Sequence, residues 1–549
     1  MLGLVEISGA GTDLQKILNG KIVKDLKSNF PKGSNAIAIS NIKTVEEETF
    51  LAVNSHQPLE GWYSWYEAHL ISDEGQNILG GTFPGGATIF HGTNQYLGWA
   101  HTVNHADFSD VYKLEIDPND ELRYKVDSQW YTLDKKSVWA WMKVAGPIKI
   151  PVKRVKYTSI FGPAFITDHG TYAWRFAAHD AVAAVEQWYH MGRAASLDQF
   201  IQALKMQAIP CTNIVYADRE HNIMYLSNGR FPEREPRYNW REIMPGNDHK
   251  LLWDDRVVPL DSLPQVVNPA SGFVFNTNNS PFSSTDSVSN PTYKEAHAIY
   301  GYQEPNIENN RSLRFLELIA EYDQLTYADF KNIKYDVQYP QQLQQPAIMN
   351  LELVLQLVAE EHPDLKEAII MLNTWNRRCD KSNTTAPLFL LTLHFLNTEL
   401  KESERYIRGG SITIDDAIKA IKAASDELTK VHGTLAVPLS KVMRHSRGEV
   451  NLPLDGGTDV LAAIYGSPQE DGSYRATAGE SYIQLVRFSQ DTLPIIETIN
   501  AFGSSAEPDS PHYTDQMELF AAQKLKPMTL SLEEVKAQSV RRYHPLKIK

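Results

Sequence analysis

Gly33-Ser34-Asn35-Ala36-Ile37-Ala38-Ile39-Ser40 is the stretch around which the chain is organised. A small residue precedes a hydroxyl residue, and a strand-like alternation follows. Taken alone, Gly-Ser-Asn is turn chemistry, and Ser34 then simply opens a strand. The other reading is chemical. The chain cuts its own Gly33–Ser34 bond, and Ser34 becomes an N-terminus that carries a nucleophile (Oγ) and a base (the new α-amino group) on one residue. The remainder of the chain decides between them.

At 549 residues the chain is long enough for a large core and for two to four domain-sized units. Hydrophobic content of 42% with 22% charged residues is ordinary for a globular protein. A formal net charge of −14 argues against a nucleic-acid binder, whose phosphate-reading surface needs clustered Lys and Arg. No apolar run is long enough to span a membrane. The start, MLGLVEISGAGTDL, lacks the basic and apolar regions of a signal peptide. Two distant cysteines, Cys211 and Cys379, offer neither metal spacing nor a disulfide framework. Eleven Trp and 25 Tyr fit carbohydrate or aromatic ligands as well as plain core packing.

Residues 1–33 read as a leader or linker with a helix-capable piece from Asp13 to Leu26. From Ser34 to about Tyr300 the pattern is mostly β: AIAIS, TFLAVNS, ATIFHG, DVYKLEI, NIVYAD and NIMYLSNG, separated by turn clusters. Helical periodicity begins near Asn309 and includes an apolar-periodic segment at Met349–Val358. A buried helix is expected from Ala386 to Leu400 and an amphipathic one at 415–431. Strand-like segments return at 482–500. Strands, a helical block and strands again suggest one α+β unit with a helical insertion at about 311–431.

Several pieces downstream of Ser34 carry polar chemistry. Asn54-Ser55-His56-Gln57-Pro58 ends a strand, although a lone His there is more often structural. A Gly-rich segment leads through Phe90 to Trp99-Ala100-His101-Thr102-Val103. In FVFNTNNSP, Asn276, Asn278 and Asn279 crowd a strand end. Asn there is usually turn chemistry. A buried side-chain amide is also a good oxyanion donor when paired with a backbone N–H.

In order and spacing these pieces resemble the penicillin acylase (penicillin amidase) family of N-terminal-nucleophile hydrolases, which includes acyl-homoserine lactone acylases. The resemblance runs from Gly33 nearly to the C-terminus, through Trp65 to Leu70, Asn213 to Asp218, Asn310-Arg311, Trp375 with Asp380, and Gly503 to Gln516. It implies a four-layer αββα sandwich of two stacked antiparallel sheets covered by helices. It also implies roles. Ser34 is the nucleophile after autocatalytic cleavage at Gly33–Ser34. His56, at the position where the acyl-homoserine lactone acylases carry a histidine, orients the amino group. The Val103 N–H and the Asn278 side chain form the oxyanion hole, and Arg311 supports Asn278. An alternative for Arg311 is a solvent-facing residue at a helix start. Gln57, Trp62 and Phe90 are candidate pocket walls, with core packing the alternative for the aromatics.

The expected reaction is hydrolysis of an amide between an acyl chain and a small amine such as homoserine lactone, with no catalytic cofactor. Alternatives are side-chain cleavage of a penicillin or cephalosporin, an inactive fragment that only binds a ligand or partner, and a glycoside hydrolase using paired carboxylates. Some family members hold a structural calcium, and Asp107 and Asp110 match that Asp-x-x-Asp spacing; solvated acidic turn residues are the alternative. Family precursors carry an α chain of well over a hundred residues before the nucleophile, whereas 33 residues precede Ser34 here. Residues 1–33 therefore read as spacer and the end of an α-chain region, and 34–549 as the β chain. An α chain of the same precursor is the expected partner, and the resemblance places the protein in the periplasm or outside the cell.

Overall fold

The computed structural model describes residues 33–544, except 146–147, 180–181, 236, 241, 254–255, 293–307, 347 and 403–409, and of the first 32 residues only Ile17. The expected leader and its helix-capable piece therefore lie outside the described residues, apart from Ile17 and Gly33. Strand β1, Gly33–Ile39, is buried along its whole length. Its alternation sorts side chains by size rather than polarity, because successive residues of a strand face opposite sides. Ile37 and Ile39 pack with Phe50, Phe275, Phe315 and Phe330. Ala36 and Ala38 face the other way, against Leu51, Val53, Ala100 and Val215. Small residues on that side let a second sheet approach.

The first sheet places β1 between β2 (Thr49–Pro58) and the short strand Phe273–Asn276, all antiparallel. It continues from β2 to the long strand Tyr474–Phe488, then to Met443–Arg447 and Val450–Pro453. The second sheet has seven antiparallel strands, with β3 (Leu97–Val103) and β4 (Thr212–Asp218) near its centre. We label the Phe273–Asn276 strand β5 and Tyr474–Phe488 β6. A third sheet carries a long hairpin, Asp134–Ala145 with Ile148–Ser159.

Helices cover both outer faces. Asn310–Ile319 (α1), Tyr327–Lys334, Lys366–Asn373, Ala386–Glu402 and Ile414–His432 bury Phe315, Phe330, Ile369, Phe389 and Ile421 in one core with Ile37 and Phe50. On the far side Trp188, Met191, Phe200 and Leu204, from helices Ala184–Arg193 and Leu197–Leu204, pack on Leu97, Trp99, Ile214 and Tyr216. Helix, sheet, sheet, helix is the αββα sandwich. Helices of the block at 311–431 form the layer on the first sheet's outer face. Asn309 caps α1 through its side chain, accepting from the Ser312 N–H at 2.9 Å.

Local expectations differ at two places. Met349–Val358 is no helix but a short strand, Ile348–Met349, and a 3-10 turn, Leu351–Leu355, because Asn350 between them takes a left-handed φ of 60°. ATIFHG joins a strand only from His91, after the tight turn at Gly85, whose φ is +82°. Among the described residues no helix is long and apolar enough to cross a membrane.

Candidate active site

Gly33 and Ser34 open β1 opposite His56 and Ser55 of β2. On the other side β5 pairs only from Ala36 onward, so the turn after Asn276 fills the space beside Ser34. Ser34 is 2% exposed. Its hydroxyl donates to the Gly33 carbonyl oxygen at 2.5 Å, and its N–H donates to Asn278 Oδ1 at 2.8 Å. The Gly33–Ser34 peptide is therefore gripped on its nitrogen and touched on its carbonyl by the adjoining hydroxyl. A Cβ on Gly33 would lie 2.2 Å from Asn278 Oδ1, so any side chain here would displace the Asn278 amide.

Asn278 sits in the left-handed region at φ 70°, where Asn is tolerated better than most residues. Its Oδ1 also accepts from Arg311 Nη2 at 3.1 Å, and its Nδ2 donates to the Val103 carbonyl at 3.1 Å. Two donors on one side and a carbonyl on the other fix which way the amide points. Asn276 secures the turn: its Oδ1 accepts from the Asn278 N–H at 2.9 Å, Thr102 Oγ1 at 2.5 Å and Asn213 Nδ2 at 3.2 Å. This one side chain ties β5 of the first sheet to β3 and β4 of the second.

Arg311, in the first turn of α1, is 1% exposed, which removes the solvent-facing alternative. Besides Asn278, its Nη1 donates to the Ser34 carbonyl at 3.0 Å and Asn35 Oδ1 at 2.8 Å. Its Nε donates to Asp459 Oδ1 at 2.9 Å. Asp459, with φ 60°, also accepts from the Asn310 N–H at 3.2 Å and Nδ2 at 3.0 Å. Sequence reasoning missed Asp459. A buried arginine demands a carboxylate, but nothing local says which of 67 acidic residues supplies it.

His56 follows a register shift in the β2–β6 pairing, where Ser481 of β6 is the extra residue between the partners of Ser55 and His56. Neither ring nitrogen has a hydrogen-bond partner among the described residues. Burial first, then the positive charges of Arg311 and Lys334, hold its pKa well below the usual 6.5, so the ring is neutral near pH 7. Behind it Lys334 bonds Glu480, which also accepts from Asn54 Nδ2 at 3.3 Å. Burial pushes the Lys334 ammonium down to about 8 against the attraction of Glu480, and burial pushes the Glu480 carboxyl up. This pair, too, had no sequence signal: its members lie 146 residues apart.

The remaining candidates are more scattered. Gln57 is buried next to His56. Phe90 is half-buried, 4.6 Å edge-on from Trp188 and 5.1 Å from Phe83. Trp62 stands 86% exposed on the turn after β2, so core packing does not account for it. Asp107 and Asp110 do not fit the expected calcium. The Arg234 guanidinium occupies the place of the cation: its Nε donates to Asp110 Oδ2 at 2.9 Å and its Nη1 to the Asp107 carbonyl at 2.7 Å. Trp253 Nε1 also donates to Asp110 Oδ2, at 2.6 Å. Among the described residues no group of three or more His, Cys, Asp or Glu is arranged to hold a metal ion.

Comparison with known proteins agrees with this architecture. A curated relative is the acyl-homoserine lactone acylase PvdQ of Pseudomonas fluorescens, 25% identical over 92% of this chain and 69% of its own length. The protein of the same name from Pseudomonas putida is 24% identical over 92% of this chain and 69% of its own length. The penicillin G acylase of Escherichia coli is 25% identical over 46% of this chain and 30% of its own. Among solved structures, a thermostable penicillin G acylase from Alcaligenes faecalis superposes with a TM-score of 0.63 at 17% identity, covering 94% of this chain and all of that one. The penicillin amidase family model matches residues 5–537. The chain therefore belongs to the penicillin amidase family.

Proposed function

We propose that the protein is an N-terminal serine acylase, activated by cleavage at Gly33–Ser34, that hydrolyses N-acyl amides of small amines. One observation carries the reading: the Asn278 amide holds the Ser34 nitrogen with its oxygen while its Nδ2 points to the Val103 peptide. After cleavage the same contact would hold a free amine, whose unperturbed pKa is about 8. That amine takes the Ser34 hydroxyl proton as Oγ attacks the acyl carbonyl. The oxyanion is met by Asn278 Nδ2 and the Val103 N–H. The amine product leaves with the transferred proton. Water then hydrolyses the acyl-Ser34 ester to the carboxylic acid and restores the hydroxyl. The neutral His56 ring, opposite Gly33 and free of other partners among the described residues, orients the amine.

N-acyl homoserine lactones are the proposed substrate class. The support is His56 together with the likeness to acyl-homoserine lactone acylases at 24–25% identity. The test is the N-terminal sequence of the purified protein and of Ser34→Ala, with turnover of long-chain acyl-homoserine lactones against phenylacetyl amides. The expected result is a polypeptide beginning at Ser34 in the wild type, an uncut bond in the variant, and preference for the long chain. Preference for the phenylacetyl group would move the substrate to the penicillin side-chain class. An intact bond in a protein that still hydrolyses amides would refute the mechanism.

A further inference from the structure

The third sheet ends in an arm. Its strands Asp134–Ala145 and Ile148–Ser159 pair with one another along their length. The next strand joins only at Tyr157, Thr158 and Ser159. The rest is a two-stranded ribbon about 30 Å long at about 3.4 Å per residue. Apart from half-buried Val152, every residue described from 134 to 144 and from 149 to 156 is exposed. Two-stranded ribbons are marginal in water even when polar. This one instead exposes Trp139 at 65% and Trp141 at 70%, and on its opposite face Val138, Met142 and Ile150.

Its charge opposes that of the protein. Residues 134–159 hold six Lys and one Arg against a single Asp, within a chain of net charge −14. Lys143 lies directly opposite Lys149, and Lys136 opposite Lys156. Like charges facing across a ladder are destabilising, and an anionic surrounding relieves them. Lysines at open strand edges also resist pairing with a second copy. Only the tip, with Lys143 opposite Lys149, lies roughly 30 Å along the ribbon from the junction at Tyr157, several Debye lengths of about 8 Å, so the body's acidity is largely screened there.

We propose that this arm docks on an anionic lipid surface. Tryptophan and lysine together suit the level of the headgroups, where the indole spans the polar boundary and the ammonium reaches phosphate. The aliphatic face meets the acyl chains. A bilayer interface can cover both apolar faces, whereas a groove on a protein covers one.

The test is cosedimentation of the full chain with vesicles of phosphatidylglycerol and phosphatidylcholine, against vesicles of phosphatidylcholine alone, at low and high salt. Binding is expected to the anionic vesicles only and to weaken with salt. The double variant Lys143→Gln/Lys149→Gln should lower partitioning about twenty-five-fold, at roughly fivefold per charge removed. Trp139→Ser/Trp141→Ser should also release the protein. Both pairs are exposed, so unchanged thermal melting checks folding, and the wild-type comparison of vesicles decides without them. No binding, or equal binding to neutral vesicles, overturns the proposal. So does a dimer in the absence of lipid that the same substitutions dissociate, which would make the arm a contact between copies.

Discussion

Replacing Arg311 with leucine separates what this residue does for stability from what it does for Ser34. In the native protein the guanidinium bonds Asp459, Asn278, Asn35 and the Ser34 carbonyl, at 2.8–3.1 Å. Arg311→Leu leaves the Asp459 carboxylate buried with only its two bonds from Asn310. Removing one partner of a buried pair costs about 3–5 kcal/mol, a large part of the roughly 5–15 kcal/mol that holds a typical protein folded. Arg311→Leu/Asp459→Leu removes the stranded charge as well, and such replacements of a whole pair are often close to neutral. Stability should therefore largely return in the double variant, measured as free energy from urea unfolding. Cleavage at Gly33–Ser34 should not return, because Asn278 Oδ1 and the Ser34 carbonyl still lack the bonds that Arg311 donated. Intact mass over time reads that step. Wild-type cleavage in the double variant, or a single-variant loss below about 1 kcal/mol, would refute the positioning argument, the latter being the range of an exposed pair.

Other perturbations reach different parts of the molecule. Asn278→Gly keeps a residue that tolerates the positive φ but removes the amide; acylase turnover should fall about two to three orders of magnitude with folding retained, and near-normal turnover would exclude the side chain as an oxyanion donor. His445 is buried, is held by the Ala501 carbonyl at 2.6 Å and is pushed down to about 4 by burial. Its folded pKa lies below the unfolded value of about 6.5, so the unfolded chain binds more protons and stability is lost as pH falls from about 6.5 to about 4. His445→Gln should flatten urea-derived stability over that window by up to about 1.4 kcal/mol per pH unit, whereas an unchanged slope would mean that the ring charges freely in the fold. Because Arg234 already sits between Asp107 and Asp110, chelation should leave the melting temperature of the purified protein unchanged, and a clear drop would show that a metal ion supports the fold.

Much was legible in the sequence where the physics is local. The Ala and Ile alternation of β1, the apolar run from Ala386 and the start of helical periodicity near Asn309 all follow from residues within a few positions of one another. Their order also carried the family, and with it Ser34, His56, Val103, Asn278 and Arg311, which the fold gathers at the start of β1. Long-range electrostatics were not legible. Asp459 reaches Arg311 across 148 positions and Glu480 meets Lys334 across 146, and neither leaves a local pattern. The Asp107-x-x-Asp110 spacing reads as a calcium site, whereas only the folded chain brings Arg234 to those residues. Sequence periodicity records which side chains are buried because burial repeats with the backbone. Which buried charge faces which depends on how distant strands and helices stack, and tertiary structure alone decides that.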